Sequence, residues 1–357
     1  MEDLVNTGYE HFKNKKVLIT GDTGFKGSWL AYWVHHLGAK VYGFALPSEK
    51  NDDHYTALGL KKLIHHKDGD VREFTQVRDF IKKIQPEFVF HLAAQPLVRK
   101  SYNEPKLTFD TNVGGSVNIL EAVRLTPSVK VLITITSDKC YKNKEWCWGY
   151  RENDELGGKD PYSASKAAVE IVYSAYQESF FNARPQFGAA SVRAGNVIGG
   201  GDWSTDRIVP DCIRALQNNK PVELRNPHAT RPWQHVMEPL SGYLLLASRM
   251  YEKPKQFGGS YNFGPDGGEM HTVKDLAEEL IAVWGEGDIK ITKKDDDPKE
   301  AGLLHLNCDK ANHDLRWHSR WDFIKTVEQT AKWYKTVNEG GNVGSITKQQ
   351  IIEYMES

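Results

Sequence analysis

Tyr162 and Lys166 stand four residues apart in the run Tyr162-Ser163-Ala164-Ser165-Lys166. On a helix that spacing puts both side chains on one face. An ammonium beside a phenol favours the phenolate, drawing its pKa down from an ordinary value of about 10. Such a tyrosine can take the proton of a substrate hydroxyl while hydride leaves the same carbon. A second reactive group, Ser137, Asp138 and Lys139, follows the run Ile133-Thr134-Ile135-Thr136. That run reads as a buried strand, and open α/β sheets bind ligands at the carboxyl ends of their strands. Ser137 is placed to hydrogen-bond the reacting hydroxyl, with an acid and a base directly after it. An acid followed by a base is ordinarily a solvated turn; at a strand end beside a Tyr–Lys pair it reads as chemistry.

The chemistry needs a hydride acceptor, and the N-terminal region holds a loop suited to one. Gly21, Gly24 and Gly27 punctuate Thr20-Gly21-Asp22-Thr23-Gly24-Phe25-Lys26-Gly27, directly after the strand-like Lys16 to Thr20. Glycines so placed let the backbone turn tightly and approach a pyrophosphate, while the following helix offers free N–H groups and a partial positive charge. Thr23, Phe25 and Lys26 complete the loop as cofactor-binding candidates. The acid that grips an adenosine ribose at the end of the second strand is missing: that strand ends Phe44-Ala45-Leu46-Pro47-Ser48. NAD and NADP therefore both stay open on the residues alone. Asp70, in Gly69-Asp70-Val71, reads either as an adenine contact or as a helix N-cap.

These groups require a scaffold that delivers strand ends to one edge. Lys40 to Leu46, Glu87 to Leu92 and Val129 to Thr136 read as strands, alternating with helical stretches Trp29 to Leu37, Phe74 to Ile84, Asn118 to Leu125 and Tyr162 to Phe181. The alternation predicts an α/β fold, a Rossmann-type doubly wound parallel sheet with a smaller, mixed α/β substrate-binding lobe. The expected division is 13–191 plus about 230–258 for the Rossmann domain, 192–229 plus about 259–340 for the lobe, and 341–357 as a C-terminal tail. With 357 residues, 39% hydrophobic and 26% charged, the chain has the composition of a folded protein. A net charge of −1 points to neither nucleic acid nor membrane. Cys140, Cys147, Cys212 and Cys308 form no ligand array, so no metal is expected, and scattered thiols read as reduced. With no apolar leader and no spanning stretch, the cytoplasm is the expected location. The run Lys293 to Glu300 reads as a solvated loop.

The glycine loop, the His91-Leu92-Ala93-Ala94-Gln95 strand end, Asn112 in Thr111-Asn112-Val113, the Ser137 strand, the Tyr162–Lys166 pair and Arg193-Ala194-Gly195-Asn196 occur in that order. Together they resemble the extended short-chain dehydrogenase/reductases, the NAD-dependent epimerase/dehydratase family, over most of the chain. Four longer runs narrow the likeness: Gly24 to Leu30, Thr136 to Tyr141, Val192 to Trp203, and Arg231-Pro232-Trp233-Gln234-His235-Val236. They are similar to the nucleotide-sugar 4,6-dehydratases that act on CDP-glucose. The resemblance implies NAD as cofactor, bound by the loop with Asp70, Val71, Leu92, Ala93, Ala94, Gln95, Asn112, Tyr162 and Lys166. It implies Asn196, Arg207 and Arg231 as holders of the substrate pyrophosphate, for which arginine is well suited. Trp203 and Trp233 read as pocket walls or as core. A homodimer or homotetramer and a place in deoxysugar and lipopolysaccharide synthesis are further implications.

The same likeness implies a lyase in which hydride moves from C4 to C6 of the sugar and water leaves. Asp138 would be the acid for the C6 hydroxyl. Lys139 departs from related dTDP-glucose enzymes, which carry a glutamate there as the C5 base. An ammonium with a pKa of about 10.4 is a poor base unless its surroundings depress it. Lys139 therefore reads as a desolvated base or as a stabiliser of the C5 enolate. A 4-epimerase would lack an acid at the position of Asp138. A dinucleotide-sensing protein that had lost its chemistry would lack Tyr162 or Lys166, and an ordinary dehydrogenase would release reduced cofactor.

Overall fold

The central strands of the main sheet are short and buried on both faces, which is the signature of parallel pairing. In the computed structural model, which describes residues 8–48, 53–265, 270–292 and 303–357, the seven strands of that sheet are β1 (Lys16–Thr20), β2 (Lys40–Ala45), β3 (His65–Asp68), β4 (Phe88–His91), β5 (Val131–Ile135), β6 (Gly188–Arg193) and β7 (Gly259–Asn262). Their order is β7-β6-β5-β4-β1-β2-β3, all parallel. The chain reverses its direction of build between β1 and β4. That switch point opens a crevice at the carboxyl ends, where a dinucleotide sits in this topology.

Helices α1 (Phe25–His36), α2 (Phe74–Ile84), α3 (Gly115–Arg124) and α4 (Pro161–Tyr176) connect the strands. The helical reading of 162–181 is right in extent, but its last turn, Gln177–Phe181, is a π-helix. Trp29 and Trp33 of α1 are fully buried against the sheet. Helix α5 (Ile208–Gln217) opens the smaller lobe, and α6 (Met237–Glu252) packs back on β5 and β6. The lobe is held by two-stranded ribbons: 222–224 with 289–291, and 230–231 with 271–272.

Two boundaries differ from the expectation. Residues 259–262, assigned to the lobe, form β7 and extend the main sheet, because Tyr261 and Asn262 are buried beside β6. The segment 341–357 is no loose tail. It forms a helix, Val343–Glu356, capped by the Asn342 side chain. Its Tyr354 is buried, donating to Glu238 of α6 at 2.7 Å. The loop expected at Lys293 to Glu300 lies outside the described residues. Among the described residues, no helix is long and apolar enough to cross a membrane.

Candidate active site

β1 turns into α1 through the three glycines, and two of them face backbone at distances that no side chain tolerates. A Cβ at Gly27 would lie 2.0 Å from the Gly21 carbonyl oxygen, and one at Gly21, whose φ is +77°, would lie 2.8 Å from the Ala93 nitrogen. The loop thereby folds flat against the end of β4 and leaves the start of α1 open. Thr23 Oγ1 donates to the Leu46 carbonyl at 3.0 Å, tying the loop to the end of β2. Between the glycines, Asp22 is buried and its carboxylate meets His66 Nδ1 at 2.7 Å. That clamp between the loop and β3 was not foreseen, because a histidine forty-four residues away carries no local signal.

The cleft above the sheet has a volume of about 2030 Å³. One ligand site commonly occupies about 300–1,000 Å³, so this one has room for a dinucleotide and a second nucleotide. Its walls include Gly21, Thr23, Gly24, Phe25, Lys26, Gly27, Asp70, Val71, Leu92, Ala93, Ala94, Gln95, Ser137, Asp138, Lys139, Tyr162, Lys166, Asn196, Arg207 and Arg231. Asn112 is the exception among the expected site residues. It is buried, accepts from Gln95 N at 2.7 Å and donates to Ser165 at 2.9 Å, so it braces the cleft from behind. Asp70 lines the cleft and pairs with Arg72, which holds its carboxyl below the usual range. The N-cap alternative fails, since the residue preceding α2 is Glu73.

At the end of β5, Ser137 caps a single turn, Asp138–Cys140, by accepting from Lys139 N at 3.3 Å. Its hydroxyl donates to Asp138 Oδ1 at 2.8 Å. Asp138 is 3% exposed and packs on Gly195, where a Cβ would fall 2.0 Å from its Oδ2. The glycine of Arg193-Ala194-Gly195-Asn196 thus makes room for the acid. Tyr162 sits in the first turn of α4 behind Pro161, with Asp160 as N-cap accepting from Ser163 N at 2.9 Å. Lys166 reaches under the strand end, donating to the Ile135 carbonyl at 3.4 Å.

The electrostatics correct one expectation. Tyr162 is not drawn down by Lys166: burial pushes the phenol up to about 12, the Ser137 hydrogen bond opposes this, and the nearby Asp138 charge adds to it. Desolvation of the phenolate outweighs the lowering by Ser137 and the Arg207 charge, and Lys166 is itself pushed down by burial, to about 8. Lys26 behaves similarly. Burial, helped by Arg207 and Lys166, lowers it to about 7, against the pull of Asp138. Lys26 therefore lies within electrostatic reach of Asp138, Lys166 and Arg207 as well as in the glycine loop, a placement its position in the glycine run does not reveal.

On the lobe side, Arg207 precedes α5 and donates to Asp202 at 2.7 Å. Arg231 donates to the Thr230 carbonyl at 2.8 Å, and Asn196 adopts a left-handed φ of 50° that turns the chain at the cleft. Trp233 lines the cleft, whereas Trp203 packs edge-on against Tyr334 with centroids 5.1 Å apart. Sequence reasoning also missed Glu170, buried one turn beyond Lys166 and paired with Arg193 at 2.8 Å. The i, i+4 spacing from Lys166 was the available signal.

The GDP-mannose 4,6 dehydratase family model matches residues 18–330. A CDP-glucose 4,6-dehydratase of Salmonella typhimurium is 45% identical over 350 residues, spanning 97% of this chain and 98% of that protein. A CDP-paratose 2-epimerase of Salmonella typhi is 33% identical, over 90% of this chain and 100% of that one. Among solved structures, the dTDP-glucose 4,6-dehydratase of Bacillus anthracis in complex with NAD superposes with a TM-score of 0.75 at 20% identity, covering 92% of this chain and 98% of that chain.

Proposed function

The chain belongs to the GDP-mannose 4,6 dehydratase family, and from that premise we propose that it is a lyase converting CDP-D-glucose to CDP-4-dehydro-6-deoxy-D-glucose and water. The observation that carries the reading is Asp138: a buried acid, hydrogen-bonded to Ser137, at the same strand end as the residues that oxidise a hydroxyl. The match to the Salmonella typhimurium enzyme supports cytosine as the base.

NAD is the cofactor. The residues fit it: the glycine cradle would be filled by any Cβ, and the crevice lies at the sheet's switch point. When bound, it supplies a cationic acceptor for the C4 hydride and returns that hydride to C6. Gly21 to Gly27 would hold its pyrophosphate, with Asp70 and Val71 near the adenine, Leu92 to Gln95 along its length, and Tyr162 and Lys166 at the reacting end.

Tyr162, in its phenolate form, takes the proton of the C4 hydroxyl as that carbon is oxidised, with Ser137 favouring that charged form. The resulting ketone acidifies the C5 hydrogen. Lys139 removes it, and Asp138 gives its proton to the departing C6 hydroxyl, which leaves as water. C5 is reprotonated from Lys139 once C6 carries its hydride. Asn196, Arg207 and Arg231 hold the substrate's pyrophosphate. Lys139 lines the cleft beside Asp138, a placement that fits the base and the enolate-stabilising role alike. Incubating Lys139→Met with substrate in deuterated water separates them: lost C5 exchange supports the base, and undiminished exchange removes it.

The protein is expected to act in the cytoplasm as a homodimer or homotetramer, feeding deoxysugars into a cell-surface polysaccharide. The direct test is incubation with CDP-glucose, followed by the absorbance that 4-keto-6-deoxy sugars develop in base, with dTDP- and GDP-sugars alongside. Product from CDP-glucose alone is expected. Product from none of the three removes the dehydratase reading.

A further inference from the structure

His66 of β3 has a carboxylate oxygen on each of its ring nitrogens. Nδ1 meets Asp22 Oδ2 at 2.7 Å, and Nε2 meets Asp68 Oδ1 at 3.0 Å. The alternation of a strand puts residues 66 and 68 on one face, while Lys67 lies on the other, over the Phe44 and Phe80 rings. The parallel register sets His66 opposite Gly43 of β2. A Cβ at Gly43 would fall 2.0 Å from Asp22 Oδ2, so the missing side chain is the space in which the carboxylate sits. The Asp22 side chain is fully buried and that of His66 is 5% exposed. Asp22 Oδ1 finds no hydrogen-bond partner among the described residues. His66 is therefore what holds this carboxylate, and with it the turn between Gly21 and Gly24.

A carboxylate only accepts, so two such bonds need two protons, and a neutral imidazole carries one. We propose that His66 is a positioning residue for the cofactor: as an imidazolium bound by Asp22 and Asp68, it fixes the glycine loop in the form that grips NAD. The groups around the ring favour the cation. Burial opposes its charge, but the bonds and charges of Asp22 and Asp68 outweigh that and hold the imidazole above its ordinary value. Burial also raises the Asp22 carboxyl, with His66 opposing that rise. Tyr55, in the short helix His54–Ala57, has its ring 5.3 Å away and is pushed up by burial and by both aspartates, so it stays a neutral phenol. His65 stacks on Tyr42, and Gly43 brings no charge. Loss of the proton breaks one of the two bonds and leaves a buried carboxylate facing a neutral partner, a weaker bond than the charge-assisted one. The hold on the loop is full below the His66 midpoint and declines as pH rises through it.

The proposal rests on the glycine loop being the NAD site, and its test reads the ring as well as the cofactor. Isotope-labelled histidine lets NMR follow His66 across pH, its signal identified by its absence in His66→Gln. Below the midpoint, both ring nitrogens of the cofactor-free protein are expected to carry protons. Calorimetry is expected to show NAD affinity falling about tenfold across that midpoint, the scale of losing one charge assistance. Linkage then requires saturating NAD to raise the midpoint by about one pH unit. Asp22→Asn keeps the shape and removes the charge, and is expected to abolish that NAD-induced rise. Asp68→Ala alters an exposed side chain that the fold does not need. It is expected to lower the midpoint by about one unit and to carry the fall in NAD affinity down with it. A single protonated nitrogen below the midpoint, or a midpoint that NAD leaves in place, overturns the proposal. So does a rise that persists in Asp22→Asn, as the cofactor's phosphates would cause through space. Absence of NAD binding at every pH overturns the reading of the glycine loop instead, and the ring nitrogens still report whether His66 is the cation.

Discussion

The two sides of the cleft are built from different materials. The dinucleotide side is mostly backbone: three glycines, the start of α1, and a packing so close that a Cβ on Gly27 would come within 2.0 Å of the Gly21 carbonyl oxygen. The reacting side is mostly charge held out of water: Asp138 on Gly195, Glu170 on Arg193, Arg207 on Asp202. The first recognises a shape common to every dinucleotide. The second sets what happens to the substrate, and its groups converge from β5, α4, β6 and α5. Binding is thus mostly local in sequence, with His66 as its distant brace. Chemistry is distributed and sensitive to single ionisations.

The largest effect belongs on the reacting side. Tyr162→Phe removes the proton acceptor and is expected to cost kcat about 10²–10⁴-fold, with nucleotide affinity by calorimetry unchanged. Loss of affinity on the same scale would instead make Tyr162 a binding residue. Asp138→Asn sharpens the contrast within that side. Product formation should fall about 10²–10³-fold, while C5 exchange with deuterated water continues, since oxidation precedes loss of the C6 hydroxyl. On the dinucleotide side, Gly27→Ala should weaken NAD about 10–100-fold, in line with about 1–3 kcal/mol for an overpacked contact. Circular dichroism should show the fold retained; undiminished NAD affinity would break the claim that this half works through backbone fit. Arg207→Gln is expected to raise KM for the nucleotide sugar about tenfold with little change in kcat, as for one charge-assisted phosphate contact.

The smallest effect lies away from the cleft. Burial raises Glu238 to about 7, above a normal glutamate value of about 4.3. The folded state therefore binds more protons than the unfolded one between these values. Its contribution to stability is full below that window and declines as pH rises through it. Melting curves should show the parent losing more between pH 5 and 7 than Glu238→Gln, and parallel losses would contradict the assignment.

The contrast between the two sides also explains what was legible beforehand. Gly21, Gly24 and Gly27 stand next to the strand and helix they join, so spacing alone revealed the loop and, with the alternation of elements, the sheet. Tyr162 and Lys166 were readable for the same reason. Asp22 with His66 and Glu170 with Arg193 were not, because each partner's meaning depends on a fold contact that sequence distance hides. β7 was misassigned since Gly259-Ser260-Tyr261-Asn262 is barely apolar, and its burial comes from neighbours rather than composition. The Tyr162 shift was misjudged because one neighbouring cation was weighed without the desolvation of the phenolate.

The central claim is that hydride leaves C4 and returns to C6 of the same sugar. CDP-glucose carrying deuterium at C4, turned over and examined by NMR and mass spectrometry, tests it most directly. One deuterium in the C6 methyl of each product molecule is predicted, with none exchanged between labelled and unlabelled substrate mixed together. A C6 methyl free of label, with reduced cofactor accumulating in step with product, would contradict it.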